Sequence, residues 1–141
     1  SRLEALVDRL DLRSRVQFAG ALSQSELKTL YQSADALVLA SSREGWANVL
    51  LEAMACGTAV VATNLWGTPE VVAAPEAGVL VERNVQQIAA GINTLFTLGI
   101  QRHQTRLYAE SFDWYATSKG QHDIFTKIVN QSQIAANKEA I

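Results

Sequence analysis

Short apolar runs alternate with helix-period patterns along this chain, the arrangement of an α/β domain built on a parallel sheet. Strand-length runs occur at Val16-Gln17-Phe18-Ala19, Ala36-Leu37-Val38-Leu39-Ala40, Ala59-Val60-Val61-Ala62-Thr63 and Gly78-Val79-Leu80-Val81. The 36–40 run is apolar throughout, as expected of a strand covered on both faces. Between them the spacing predicts helices over 2–10, 24–33, 48–56, 85–98, 101–111 and 115–135. Ser23 with Glu26 three residues on forms a capping-box signature for the second helix. Gly57 stands just past the third, where helices commonly stop. Pro69 and Glu70 suit the first turn of a further short helix. The tail after Ala135 is expected to fray.

Composition narrows the function. At 141 residues the chain has the length of one domain with a single core. Its 48% hydrophobic and 18% charged content fits a globular protein, and a net charge of −2 argues against a nucleic-acid or anionic-membrane surface. The apolar runs fall far short of the roughly 18–20 residues that span a bilayer, and the N-terminus lacks a signal-peptide pattern. A cytoplasmic location is therefore expected. One Cys and two separated His provide neither an internal disulfide nor a zinc set. No Asp-x-Asp pair is present to hold a divalent cation, so no cofactor or metal is expected.

The chemistry concentrates at Glu44-Gly45-Trp46-Ala47-Asn48-Val49-Leu50-Leu51-Glu52, two carboxylates with only neutral residues between them. Glu52 interrupts an apolar run, so its carboxylate must reach solvent or find donors. Ligands of open parallel sheets bind at strand carboxyl ends beside helix N-termini, and residues 44–49 fall at such a place. There the amides of Asn48 and Val49 would present the positive helix pole to a phosphate. A nucleoside diphosphate sugar laid across this end would bring its sugar to Glu44 and its ribose diol to Glu52. Spacing alone leaves a plainer reading open, in which Glu44 is a solvated loop residue and Glu52 a polar position on a half-exposed helix.

The whole segment Ser41–Thr63 closely resembles the core signature of the family 4 retaining glycosyltransferases. Pieces on both sides of it resemble that family too, in the same order: Val16-Gln17-Phe18-Ala19-Gly20, Ala34-Asp35-Ala36, Gly67-Thr68-Pro69-Glu70-Val71-Val72, Gly78-Val79-Leu80-Val81 and Phe112-Asp113-Trp114. The resemblance implies a Rossmann-like parallel sheet flanked by helices, as the C-terminal donor domain of a GT-B enzyme. It also implies a metal-independent mechanism that retains anomeric configuration. Glu44 matches the catalytic-site glutamate that binds donor-sugar hydroxyls, and the departing phosphate is thought to help deprotonate the acceptor. Trp46 and Ala47 match positions whose amides meet the sugar, Asn48 and Val49 those whose amides meet the pyrophosphate, and Glu52 the ribose ligand. Gly20 and Ala21 match backbone contacts to the base.

Some positions depart from that pattern. Ala47 stands where members often carry Gly, which weakens its assigned sugar contact. Trp66 replaces a second Gly, where it either narrows the crevice mouth or packs in its loop. Trp114 matches an aromatic expected to pack, and Arg43 is either a phosphate ligand or a solvated loop charge.

The resemblance also implies parts that this chain does not contain. These are an N-terminal acceptor domain and the first two donor-domain strands, with an Arg and a Lys that neutralise the pyrophosphate. In the usual order those strands separate 16–19 from 36–40. Here the two runs either pair directly, leave the sheet incomplete, or admit a strand from another chain by exchange or homo-oligomer formation. The expectation is a donor domain inactive alone, from an enzyme moving sugar from a UDP- or GDP-linked donor to a glycan or lipid-linked acceptor in polysaccharide biosynthesis. Its partners would be the acceptor domain and, through that domain, the inner face of a membrane. The alternative is a non-catalytic nucleotide-binding or interaction module of the same fold.

Overall fold

The computed structural model describes residues 1–139. Its elements are α1 (Arg2–Arg9), α2 (Gln24–Ser33), β1 (Leu37–Leu39), α3 (Asn48–Ala55), β2 (Val60–Thr63), α4 (Thr68–Val71), β3 (Gly78–Val81), α5 (Val85–Leu98), α6 (Arg102–Glu110) and α7 (Trp114–Glu139). The three strands form one parallel sheet in the order β1-β2-β3, with Leu37 opposite Val60 and Val60 opposite Gly78.

Side-chain alternation divides the core into two layers. Leu37, Leu39, Val60, Ala62 and Leu80 point to the face that also holds Tyr31, Leu50, Met54, Val71 and Ala109, contributed by α2, α3, α4 and α6. Ala59, Val61, Val79 and Val81 point the other way, onto Ile88, Ile92 and Leu95 of α5. β2 is buried along its whole length, so each of its valines removes a full side chain from water, worth about 1.5–3 kcal/mol apiece. No helix among the described residues is long and apolar enough to cross a membrane.

The helix ends follow their sequence signals. Ser23 N–H donates to the Glu26 carboxylate at 2.8 Å, and Glu26 N–H returns to Ser23 Oγ at 3.4 Å. The Ser23 hydroxyl, which donates to the Glu26 carboxylate at 2.6 Å, and then the Ser23 N–H hold the Glu26 carboxyl below the usual carboxylate range. Pro69 lies in the first turn of α4, and Gly57 takes the left-handed conformation after α3, with φ +78°.

Three expectations are corrected. Residues 16–19 form no strand, and Phe18 is 46% exposed. A strand needs a neighbour for its N–H and C=O groups, and no strand among the described residues pairs with the outer edge of β1; the 16–19 and 37–39 segments do not pair directly. β1 is also not covered on both faces: α5 packs on β2 and β3, leaving Val38 41% exposed. Finally, α7 continues past Ala135 to Glu139.

The guanidinium of Arg102, at the start of α6, gathers the C-terminal ends of α2 and α3. It donates to Ala34 O and Gln32 O, both at 2.8 Å, to Cys56 O at 3.2 Å and to Thr58 Oγ1 at 3.0 Å. The Thr58 hydroxyl in turn donates to Tyr31 O. A cation at two helix C-termini complements both dipoles and satisfies carbonyls that the helices leave open. Arg102→Met is expected to lower unfolding free energy by about 2–3 kcal/mol in urea titrations, the scale of hydrogen bonds to a charged group. Arg102→Lys should recover less than half, because one ammonium cannot span the fork. A methionine variant as stable as the parent would refute the role.

Candidate functional site

The carboxyl ends of the three strands are laced together by two side-chain bonds to the backbone and one bond between backbones. Thr63 Oγ1 donates to Ser41 O at 2.8 Å, Arg83 Nε to Ala40 O at 3.0 Å, and Asn64 N–H to Val81 O at 2.8 Å. Thr68 is completely buried. Its hydroxyl reaches Thr63 O at 2.7 Å and also Leu65 O, while accepting from Leu65 N–H at 3.1 Å. This fixes the loop after β2 against the loop after β1. The two backbones touch so closely at Gly67 and Gly45 that a Cβ on Gly67 would fall on Gly45 O. Only glycine fits there.

α3 starts on this platform. Ala47 is its N-cap, buried and with no side-chain cap bond. Its φ of −78° is open to any residue, so alanine fits here without backbone strain. The Asn48 N–H donates to Trp46 O at 3.0 Å, whereas the Val49 N–H has no acceptor among the described residues. Of the two amides expected to face a phosphate, one is therefore satisfied internally in this conformation and one is open. Trp46 is held in place by its ring, edge-on to Phe112 with centroids 6.1 Å apart. Phe112 in turn packs on Tyr108 at 5.2 Å. The Tyr108 hydroxyl donates to Val71 O at 2.9 Å and accepts from Ala73 N–H at 3.1 Å.

The two glutamates bracket the helix start in different surroundings. Glu44 is half-buried in its loop, and Glu52 lies on the exposed side of α3 one turn in. Neither carboxylate makes an ion pair or hydrogen bond among the described residues. Glu52 lines a cleft of about 380 Å³ whose opposite wall is Gln24, Ser25, Leu27, Lys28 and Tyr31 of α2. Burial, then the nearby charge of Glu52 and Cys56, pushes the Tyr31 phenol above its usual range. Trp46, Asn48 and Leu51 line a second cleft, of about 660 Å³, against Phe112 and Trp114.

Thus Glu44, Trp46, Ala47, Asn48 and Val49 come together at one helix end, with Glu52 on the flank that faces α2. Gly20 and Ala21 are exposed in the irregular segment before Ser23, and neither is among the residues lining the Glu52 cleft. The α2 wall had a sequence signal, since Gln24, Leu27, Lys28 and Tyr31 recur at helical spacing of three and four. Arg43 is exposed. Trp114 does not pack as expected, being 81% exposed; Phe112 supplies the aromatic packing instead. Trp66 is not loop packing either. It is 69% exposed and holds φ +49°, a conformation that costs a bulky residue about 1–3 kcal/mol.

Similarity to known proteins identifies the family. The family profile described as glycosyl transferases group 1 matches residues 1–112. A D-inositol 3-phosphate glycosyltransferase of Corynebacterium urealyticum is 34% identical over 122 residues, covering 83% of this chain and 29% of that protein. The chain thus spans less than a third of that relative. Sucrose-phosphate synthase from Thermosynechococcus elongatus superposes with a TM-score of 0.78 at 28% identity, covering 92% of this chain and 34% of that one. The Anabaena protein HepE, solved in complex with UDP, gives 0.77 at 26% identity, covering 89% and 36%. These neighbours share the Rossmann-like parallel sheet with flanking helices seen here, and this chain belongs to the group 1 glycosyl transferases.

Proposed function

We propose that the chain is the donor-binding part of a retaining, metal-independent glycosyltransferase that takes a UDP- or GDP-linked sugar and passes the sugar to a glycan or lipid-linked acceptor. One observation carries the reading: the uncapped start of α3, at the carboxyl ends of β1 and β2, stands between two carboxylates that have no partner among the described residues. Unpaired carboxylates flanking a positive helix pole suit a ligand with hydroxyls at both ends and phosphates in the middle. Glu44 accepts hydrogen bonds from sugar hydroxyls, and Glu52 from the ribose diol, with the base directed toward Gly20, Ala21 and the α2 wall. Trp46 and Ala47 offer backbone amides to the sugar.

The chemical step requires negative charge to grow on the diphosphate as the bond to the anomeric carbon breaks. The Val49 amide and the helix pole stabilise that charge, and Asn48 joins once its N–H turns from Trp46 O to a phosphate oxygen. The leaving phosphate accepts the acceptor's proton, so Glu44 positions the sugar and need not form a covalent intermediate. That the similar Anabaena protein HepE was solved in complex with UDP supports a nucleotide ligand for this chain. The internally bonded Asn48 N–H favours a second reading, a nucleotide-binding module without turnover.

Amide NMR titration with UDP, GDP and ADP is the direct test. Shifts centred on residues 44–52 are expected, and their size ranks the bases. Silence there at millimolar nucleotide would sink the donor reading. Glu52→Gln keeps the shape and removes the charge, so nucleotide affinity should fall about 10- to 100-fold. Equal affinities for parent and variant would remove Glu52 from the ribose.

A further inference from the structure

We propose that Trp66 is a sugar-stacking residue, whose indole receives the apolar C–H face of a pyranose ring while the Glu44 carboxylate takes the ring's hydroxyls. The proposal rests on the donor-site reading above and adds to it a side chain which that reading does not use.

Four features of the loop after β2 converge on this role. Trp66 precedes Gly67, whose backbone lies directly on Gly45, so the indole is carried on the same platform as Glu44 and Trp46. The platform is stiff, because the buried Thr68 hydroxyl accepts from Leu65 N–H and donates to Thr63 O. The indole is 69% exposed and belongs to neither of the aromatic pairs, Trp46–Phe112 and Tyr108–Phe112, so packing does not account for it. Its backbone sits at φ +49°, where a glycine would rest without strain. A bulky residue kept at an unfavourable dihedral, outside the core and beside a binding loop, is the pattern of strain retained for function.

The chemistry of the ligand follows from the pair. An indole offers a large flat apolar surface, and a carboxylate offers only acceptors. A hexopyranose presents the complement, one ring face of C–H groups and a rim of hydroxyl donors. That ring belongs either to the donor sugar or to the sugar at the end of an acceptor.

Three indole N–H signals are available for NMR, from Trp46, Trp66 and Trp114, and Trp66→Phe identifies the middle one by its loss. The chain is titrated with UDP and GDP, with UDP-glucose, UDP-N-acetylglucosamine and GDP-mannose, and with methyl pyranosides in the presence of each nucleoside diphosphate. A Trp66 shift only with sugar nucleotides, and about a 3- to 10-fold loss of sugar-nucleotide affinity in Trp66→Gly with nucleotide affinity unchanged, assigns the ring to the donor. A Trp66 shift with methyl pyranosides, with donor affinity unchanged in the variant, assigns it to the acceptor. In both cases Trp66→Gly should raise Tm by about 3 °C, because glycine relieves the strained dihedral.

Absence of any sugar-dependent change at Trp66, or a Tm that falls in Trp66→Gly, overturns the proposal and makes Trp66 a packing residue. Silence of residues 44–52 toward every nucleotide is a failure of the donor reading instead. Methyl pyranosides alone then decide Trp66.

Discussion

Burial of β2 is the constraint from which the rest of the structure hangs. Val60–Thr63 has no exposed face, so layers must close on it from both sides, and both of its ends are fixed by buried threonines. At the amino end Thr58 joins α2 to α3 through Tyr31 O and the Arg102 fork. At the carboxyl end Thr63 and Thr68 pin the loops that follow β1 and β2. Each hydroxyl finds its acceptor on a backbone carbonyl from a different element, so the strand sets distances between segments far apart in sequence. Leaving any of these groups unpaired in such a place would cost more than the bond itself contributes.

That arrangement separates what is stiff in the site from what can adjust. The platform beneath Glu44 and Trp46 is backbone on backbone, with no side chain to repack. The adjustable parts are one amide, that of Asn48, and two carboxylates that meet no internal partner. In the proposed donor site a ligand would replace water at the carboxylates, and one small peptide rotation would free the Asn48 amide while the strands stay still. The two clefts on either side of α3 give a long ligand separate places for its ends, with the helix pole between them.

Much of this was legible in the residues. Periodicity located nine of the ten elements within a residue or two and stopped α7 four residues short, and the Ser23–Glu26 box and Gly57 marked ends by local chemistry alone. Glu44, Trp46, Ala47, Asn48 and Val49 were legible because they are contiguous with a helix start. What failed depended on distant neighbours. Val16-Gln17-Phe18-Ala19 has strand character, but a strand exists only when another lies beside it. Val38 is as apolar as Leu37 and Leu39, and only the placement of α5 decides that its side is open. The Asn48–Trp46 bond and the positive φ of Trp66 are backbone facts with no residue signature; Trp66 in particular occupies a conformation that its side chain argues against.

The contact between Gly45 and Gly67 joins the two loops into one part, and this limits how such a site can diversify. A side chain at Gly67 would fall on the Gly45 carbonyl and disturb both loops at once, so at that position the backbone frame passes unchanged or is lost. The side chains at 46 and 66 escape that coupling, since they project from the frame and do not form it. In the proposed donor site, single replacements at those two positions would change sugar preference and leave the start of α3 as it was.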